Sequence, residues 1–180
     1  MKRHKAQTSA ILIVLVIVIF IGVAVTLLQL AKTVSKEEYI NLYTGNLLRS
    51  VLKTDTGHTQ PECRKVSDLL ACAFFTPTYR CSPEEPPCLE LANETITNYM
   101  SKFDMIRKNF NYLFKVESEG FIAATDSGII DIKIGDERLD IRRGDSLCRK
   151  QRCWTANDVI QRTDNGEQYI LKVQLIISKR

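Results

Sequence analysis

The stretch Ala10-Ile-Leu-Ile-Val-Leu-Val-Ile-Val-Ile-Phe-Ile-Gly-Val-Ala-Val25 is apolar throughout. It decides how the rest of the chain is read. No residue from Ala6 to Ala31 is charged, and Lys2, Arg3, His4 and Lys5 form a basic cluster before it. A bilayer core about 30 Å thick is crossed by about 20 mostly apolar helical residues. The sequence therefore predicts a transmembrane helix. Lys and Arg are retained on the cytoplasmic side. The expected topology is a single pass with the N-terminus cytoplasmic and the C-terminal domain extracytoplasmic.

A secretory signal has a shorter apolar core, about 7–15 residues, before small residues at its cut. Gly22 and Ala24 supply small residues, but Thr26-Leu-Leu-Gln-Leu30 continues the apolar run past them. An earlier cut fits better. Lys5-Ala6-Gln7-Thr8-Ser9-Ala10-Ile11 resembles the class III signal of archaeal type IV pilin-like proteins, in which a basic and a small residue precede the cut and Gln often follows it. The resemblance covers the leader and the long apolar helix. Position −1 is Ala6 where Gly is commoner, and the fifth mature position, Glu in bacterial pilins, is Ile11. Archaeal relatives commonly lack that Glu.

The resemblance implies a prepilin-type signal peptidase acting at Lys5, Ala6 and Gln7, cutting between Ala6 and Gln7. It implies a pilin-like subunit of a cell-surface filament that assembles through the apolar helix with other pilin-like subunits; the three candidate bridges and long polar loops of the head suit a minor or tip position. Uncleaved residues 1–6 would instead describe a permanently anchored extracytoplasmic binding or accessory protein. An anchored hydrolase is a third class.

Six cysteines follow the apolar stretch: Cys63, Cys72, Cys81, Cys88, Cys148 and Cys153. An even number in an exported domain points to disulfides. Zinc sites favour close pairs such as C-x2-C, whereas the gaps here hold eight, eight and six residues, then four in the last pair. Cys148 and Cys153 are expected to close a short loop. Val66, Leu69, Leu70, Ala73 and Phe74 share one helical face, so residues 65–75 read as a helix stopped by Pro77. Along it Cys63 and Cys72 would stand about 10 Å or more apart, beyond the roughly 7 Å limit for bonded cysteines. Cys63 and Cys72 are thus expected to pair with Cys81 and Cys88, in either order.

Between the apolar stretch and residue 55 the pattern stays helical, with Ile40, Tyr43, Leu47, Val51 and Leu52 at three- and four-residue steps. Gly45 is a weak point there. Thr54–Pro61 is a polar loop, and Thr76–Pro87 holds four prolines among the cysteines. Leu89–Asn109 reads as a helix, with Leu89, Ile96, Met100, Phe103 and Ile106 along one side. Asn93-Glu94-Thr95 is a glycosylation sequon on its flank.

After residue 110 the period changes to alternation. Tyr112, Phe114 and Val116 form one run. Ile130, Ile132 and Ile134 form another, then Leu139 and Ile141, and last Tyr169, Leu171, Val173, Leu175 and Ile177. Strands with one buried face are expected, with hairpin turns at Gly135-Asp136 and Asn165-Gly166. The fold class is α+β. A long N-terminal transmembrane helix continues into a stalk. A disulfide-containing head follows, with two further helices and an antiparallel sheet. The segments are a basic leader at 1–6, a transmembrane and assembly helix at 7–31, a helical stalk at 32–55 and the head at 56–180.

Little chemistry is visible. Nucleophilic catalysis needs a base beside the nucleophile, most often His, and beyond the leader only His58 is present, in the polar loop. There is no G-x-S-x-G, H-E-x-x-H or P-loop. Asp131, Asp136 and Asp140 lie close in sequence without an EF-hand pattern. No enzyme activity, catalytic residue, metal or cofactor is assigned. The net charge of +4 and the group Arg142, Arg143, Arg149, Lys150 and Arg152 suit a solvated face. No nucleic acid is expected; the membrane is the expected partner surface.

Overall fold

The structure, a computed structural model, describes residues 3–119, 121, 123–125, 128–164 and 167–180. The chain divides into two compact units, Met1–Ile40 and Asn41–Arg180. Helix α1 covers Arg3–Lys53. From Val14 to Leu30 every side chain is exposed, including Val18, Phe20 and Leu28.

The expected transmembrane helix is corrected here. Among the described residues, no helix is long and apolar enough to cross a membrane.

The larger unit is α+β. The end of α1 buries Thr44, Leu47, Leu48, Val51 and Leu52 there. Helix α2 (Val66–Phe75) begins where the Asp68 carboxylate accepts the Lys65 backbone N–H at 3.1 Å. It ends at Thr76, whose N–H donates to Cys72 O, with Pro77 next. Helix α3 covers Cys88–Lys102 and α4 Asp104–Asn109. The single helix expected over 89–109 is therefore two, because Phe103 leaves helical geometry at φ −81°, ψ 92°. With α2, the described residues of the unit hold three α-helices beyond α1 rather than the expected two.

Four strands form one antiparallel sheet: β1 (Phe110–Glu119), β4 (Ile132–Gly135), β5 (Cys153–Asp164) and β6 (Glu167–Lys179), in the order β4-β1-β6-β5. A separate two-stranded ladder joins β2 (Ala124–Thr125) to β3 (Gly128–Ile129). The β5–β6 register closes with Asp164 opposite Glu167; the expected Asn165-Gly166 turn itself lies outside the described residues.

Helix α2 packs on α3 and on β5, and α3 on β4. This layer covers one sheet face, where Phe114, Val116, Leu171, Val173, Leu175 and Ile177 are buried with Leu69, Leu70, Ile96 and Met100. The reading of one buried face was incomplete. Leu113 and Ile176 pair across β1 and β6, on the opposite face by the alternation of side chains along a strand. They are fully buried with Leu139, while Leu147, Cys148 and Cys153 pack against them. The chain between β4 and β5 thus folds over part of the second face.

That excursion replaces two expected features. Leu139 and Ile141 do not form a strand; Glu137–Leu139 is a 3-10 turn, started by the Asp136 carboxylate accepting the Arg138 N–H. Gly135 does not make a hairpin. It takes φ 113° and lets Asp136 N–H donate to Tyr112 O at 2.7 Å. A Cβ on Gly135 would stand 2.2 Å from that oxygen, so only glycine fits.

Candidate functional site

The exposed apolar stretch of α1 is one candidate surface. Its polar interruptions do not break it. Thr26 Oγ1 donates to Val23 O at 2.8 Å, so the hydroxyl is satisfied within the helix. Lys5, Ala6 and Gln7, the expected cleavage residues, lie in the first turns of α1.

The cysteines form three bridges: Cys63–Cys81, Cys72–Cys88 and Cys148–Cys153, with Cα separations of 5.9, 5.8 and 5.3 Å. This agrees with Cys63 and Cys72 pairing with Cys81 and Cys88, and it resolves the order. The first two bridges stack, with Cys81 Sγ and Cys88 Sγ 4.0 Å apart. The sulfurs of Cys63, Cys72 and Cys88 lie within 4.8 Å of one another. Bonded in disulfides, they carry no thiolate to offer a metal.

The second candidate region is the part of the far sheet face around Lys115. In register, Lys115 faces Gln174 and Glu117 faces Lys172. Gln174 and Lys172 face Asn157 and Val159 on β5. Lys115 and Asp140 have side chains only 4% and 9% exposed, and Lys115 Nζ stands 2.9 Å from Asp140 Oδ2. The same ammonium lies 2.6 Å from Glu117 Oε1. Arg142 Nη1 donates to that Glu117 oxygen at 2.8 Å, and Arg142 N–H donates to Asp140 Oδ1 at 3.1 Å. Gln174 Nε2 donates to Asn157 Oδ1 at 2.9 Å.

A groove of about 510 Å³ runs over these groups, walled by Ile141 and Val159. Burial alone would raise the Asp140 carboxyl. Hydrogen bonds from Lys115 and the Arg142 backbone, with the Lys115 and Lys133 charges, outweigh it and hold the group below its ordinary range.

The other sequence candidates are dispersed. Asp131 pairs with Lys133 and Asp136 with Arg138, so the three aspartates each meet a different cation. His58 does not simply face water: it is half-buried, with Nδ1 3.4 Å from Glu85 Oε2. Asn93 is half-buried on α3, beside a shallow surface groove shared with Thr97 and Ser101.

Reasoning from sequence missed the Lys115–Asp140 contact. Lys115 and Glu117 two apart on one strand were a local signal for a charged face. Nothing local brings in Asp140, which is 25 residues away from Lys115. Comparisons with protein-family models, with curated proteins and with solved structures found no match to this chain.

Proposed function

We propose that this chain is a pilin-like subunit of a cell-surface filament, assembling through the apolar stretch of α1 after a peptidase removes residues 1–6. The observation that carries this reading is the exposure of every side chain from Val14 to Leu30, nearly all apolar. A contiguous apolar surface of this size marks an interaction site. Each half-exposed Val, Leu, Ile or Phe gains about 1 kcal/mol on full burial, so the stretch offers on the order of 10 kcal/mol per subunit.

Copies of the same helix are a fitting cover. They present apolar surface all round, and a repeated head-to-tail contact that does not close builds a helical filament. The satisfied Thr26 hydroxyl adds no unpaired donor to such packing. The three disulfides support an extracytoplasmic head, since such bonds persist in oxidising surroundings.

The test is assembly of the full chain carrying Ile17→Glu and Phe20→Glu. Loss of sedimentable filaments, with all three disulfides still formed, is expected. Filaments formed as readily as by the unaltered chain would refute the reading.

A further inference from the structure

We infer that Lys115 and Asp140 condense into an intramolecular isopeptide bond, with Glu117 as the group that relays the proton. The inference is independent of the filament reading, since every group involved lies in the Asn41–Arg180 unit.

Three features of the geometry carry it. First, the reacting groups are in contact. Lys115 Nζ is 2.9 Å from Asp140 Oδ2, which places the amine nitrogen against the carboxyl group whose Cγ it would attack, as proximity catalysis requires. Second, both are withdrawn from water, with side chains 4% and 9% exposed. Leu113 and Leu139, two residues before Lys115 and one before Asp140, are fully buried beside them. Third, the supporting groups are placed for the chemistry. Glu117 Oε1, 2.6 Å from Nζ, can take a proton from the amine. Arg142 N–H, 3.1 Å from Asp140 Oδ1, is directed at the oxygen that stays as the amide carbonyl. Charge developing on that oxygen during attack would be stabilised by this donor.

The step balances without a co-reactant. The ammonium loses a proton through Glu117 to the Asp140 carboxylate, giving a neutral amine and a neutral acid. The Nζ lone pair attacks Cγ and forms the C–N bond. Oδ2 leaves with two of the three ammonium hydrogens as one water, and the third hydrogen stays on the amide nitrogen. No oxidation or reduction occurs. The groove that touches both side chains gives the water a path out.

Two effects favour the amide over the ion pair. Removing two charges from water costs several kcal/mol per ion, and the amide carries no charge. Holding amine and acid together also supplies an effective molarity of roughly 10⁵–10⁸ M, which opposes hydrolysis. The bond would tie the middle of β1 to the segment after the 3-10 turn, across 25 residues.

The test is mass spectrometry of the full chain, intact and after reduction and digestion. The expected mass is lower by one water than that of the disulfide-bonded chain. Lys115 should resist trypsin, and a branched peptide should contain Lys115 joined to Asp140. Lys115→Arg should restore the missing water. Glu117→Gln, which leaves both reacting groups in place, should keep most of the chain unlinked. An unaltered chain at full mass with separate Lys115 and Asp140 peptides would overturn the inference. So would a missing water that persists in Lys115→Arg.

Discussion

Cys72, inside α2, is bonded to Cys88, the first residue of α3, with Cα atoms 5.8 Å apart. The bridge crosses a proline-rich segment that has little regular structure of its own, and Cys63–Cys81 enters the same region. The two bonds fix the helical layer against which the sheet packs. Replacing Cys72 and Cys88 together by Ala is expected to lower stability by about 3 kcal/mol, and replacing Cys148 and Cys153 by about 2 kcal/mol, because the shorter loop restricts the unfolded chain less. Chemical denaturation of the paired variants checks the order.

The two glycines Gly45 and Gly135 should respond in opposite directions. Gly45 lies within α1 with open space around a built Cβ. Gly45→Ala should stabilise by about 0.5–1 kcal/mol through helix propensity. Gly135 holds φ +113° with Tyr112 O in the way. Gly135→Ala should cost about 1–3 kcal/mol or more. Thermal unfolding of both variants measures the contrast.

Leu139 caps the second sheet face, fully buried against Leu113 and Ile176. Leu139→Ala should destabilise by about 2–5 kcal/mol. A change below about 0.5 kcal/mol, the range of surface substitutions, would mean that the excursion between β4 and β5 does not cover that face. Urea unfolding gives the number.

The Asp136 carboxyl is held below its ordinary 3.8: the side-chain hydrogen bonds of Arg138 lower it most, burial opposes them, and the Arg138 N–H and charge add to the lowering. A depressed carboxyl contributes stability above its unfolded value and loses that contribution as pH falls through the folded value. Wild type should therefore exceed Asp136→Asn by up to about 1 kcal/mol near neutral pH. The gap should close as the medium is acidified below the ordinary carboxylate range. Stability measured across that range checks the sign.

These elements also show what was legible in the sequence. The helix at 66–75 declared itself through Val66, Leu69, Leu70, Ala73 and Phe74, and its length ruled out a Cys63–Cys72 bond. Alternation in Tyr169–Ile177 marked β6 because its core face is continuous. The break at Phe103 carried no Gly or Pro, and the apolar stripe runs through it from Met100 to Ile106. Leu139 and Ile141 alternate over too few residues to separate a strand from a turn. The tertiary cover of Leu113 turned the alternation there into a 3-10 turn.

The candidate sites divide in the same way. The apolar stretch of α1 is legible directly in the sequence, but among the described residues no helix is long and apolar enough to cross a membrane. The contact of Lys115 with Asp140 arises only when the excursion returns across β1. No local pattern encodes it.

The central claim is that residues 1–6 are removed to free an assembly helix, and N-terminal sequencing of the protein from native cells tests it most directly. The account predicts a chain beginning at Gln7 and recovered with other subunits in filaments. A mature chain still beginning at Met1 or Lys2 would contradict it.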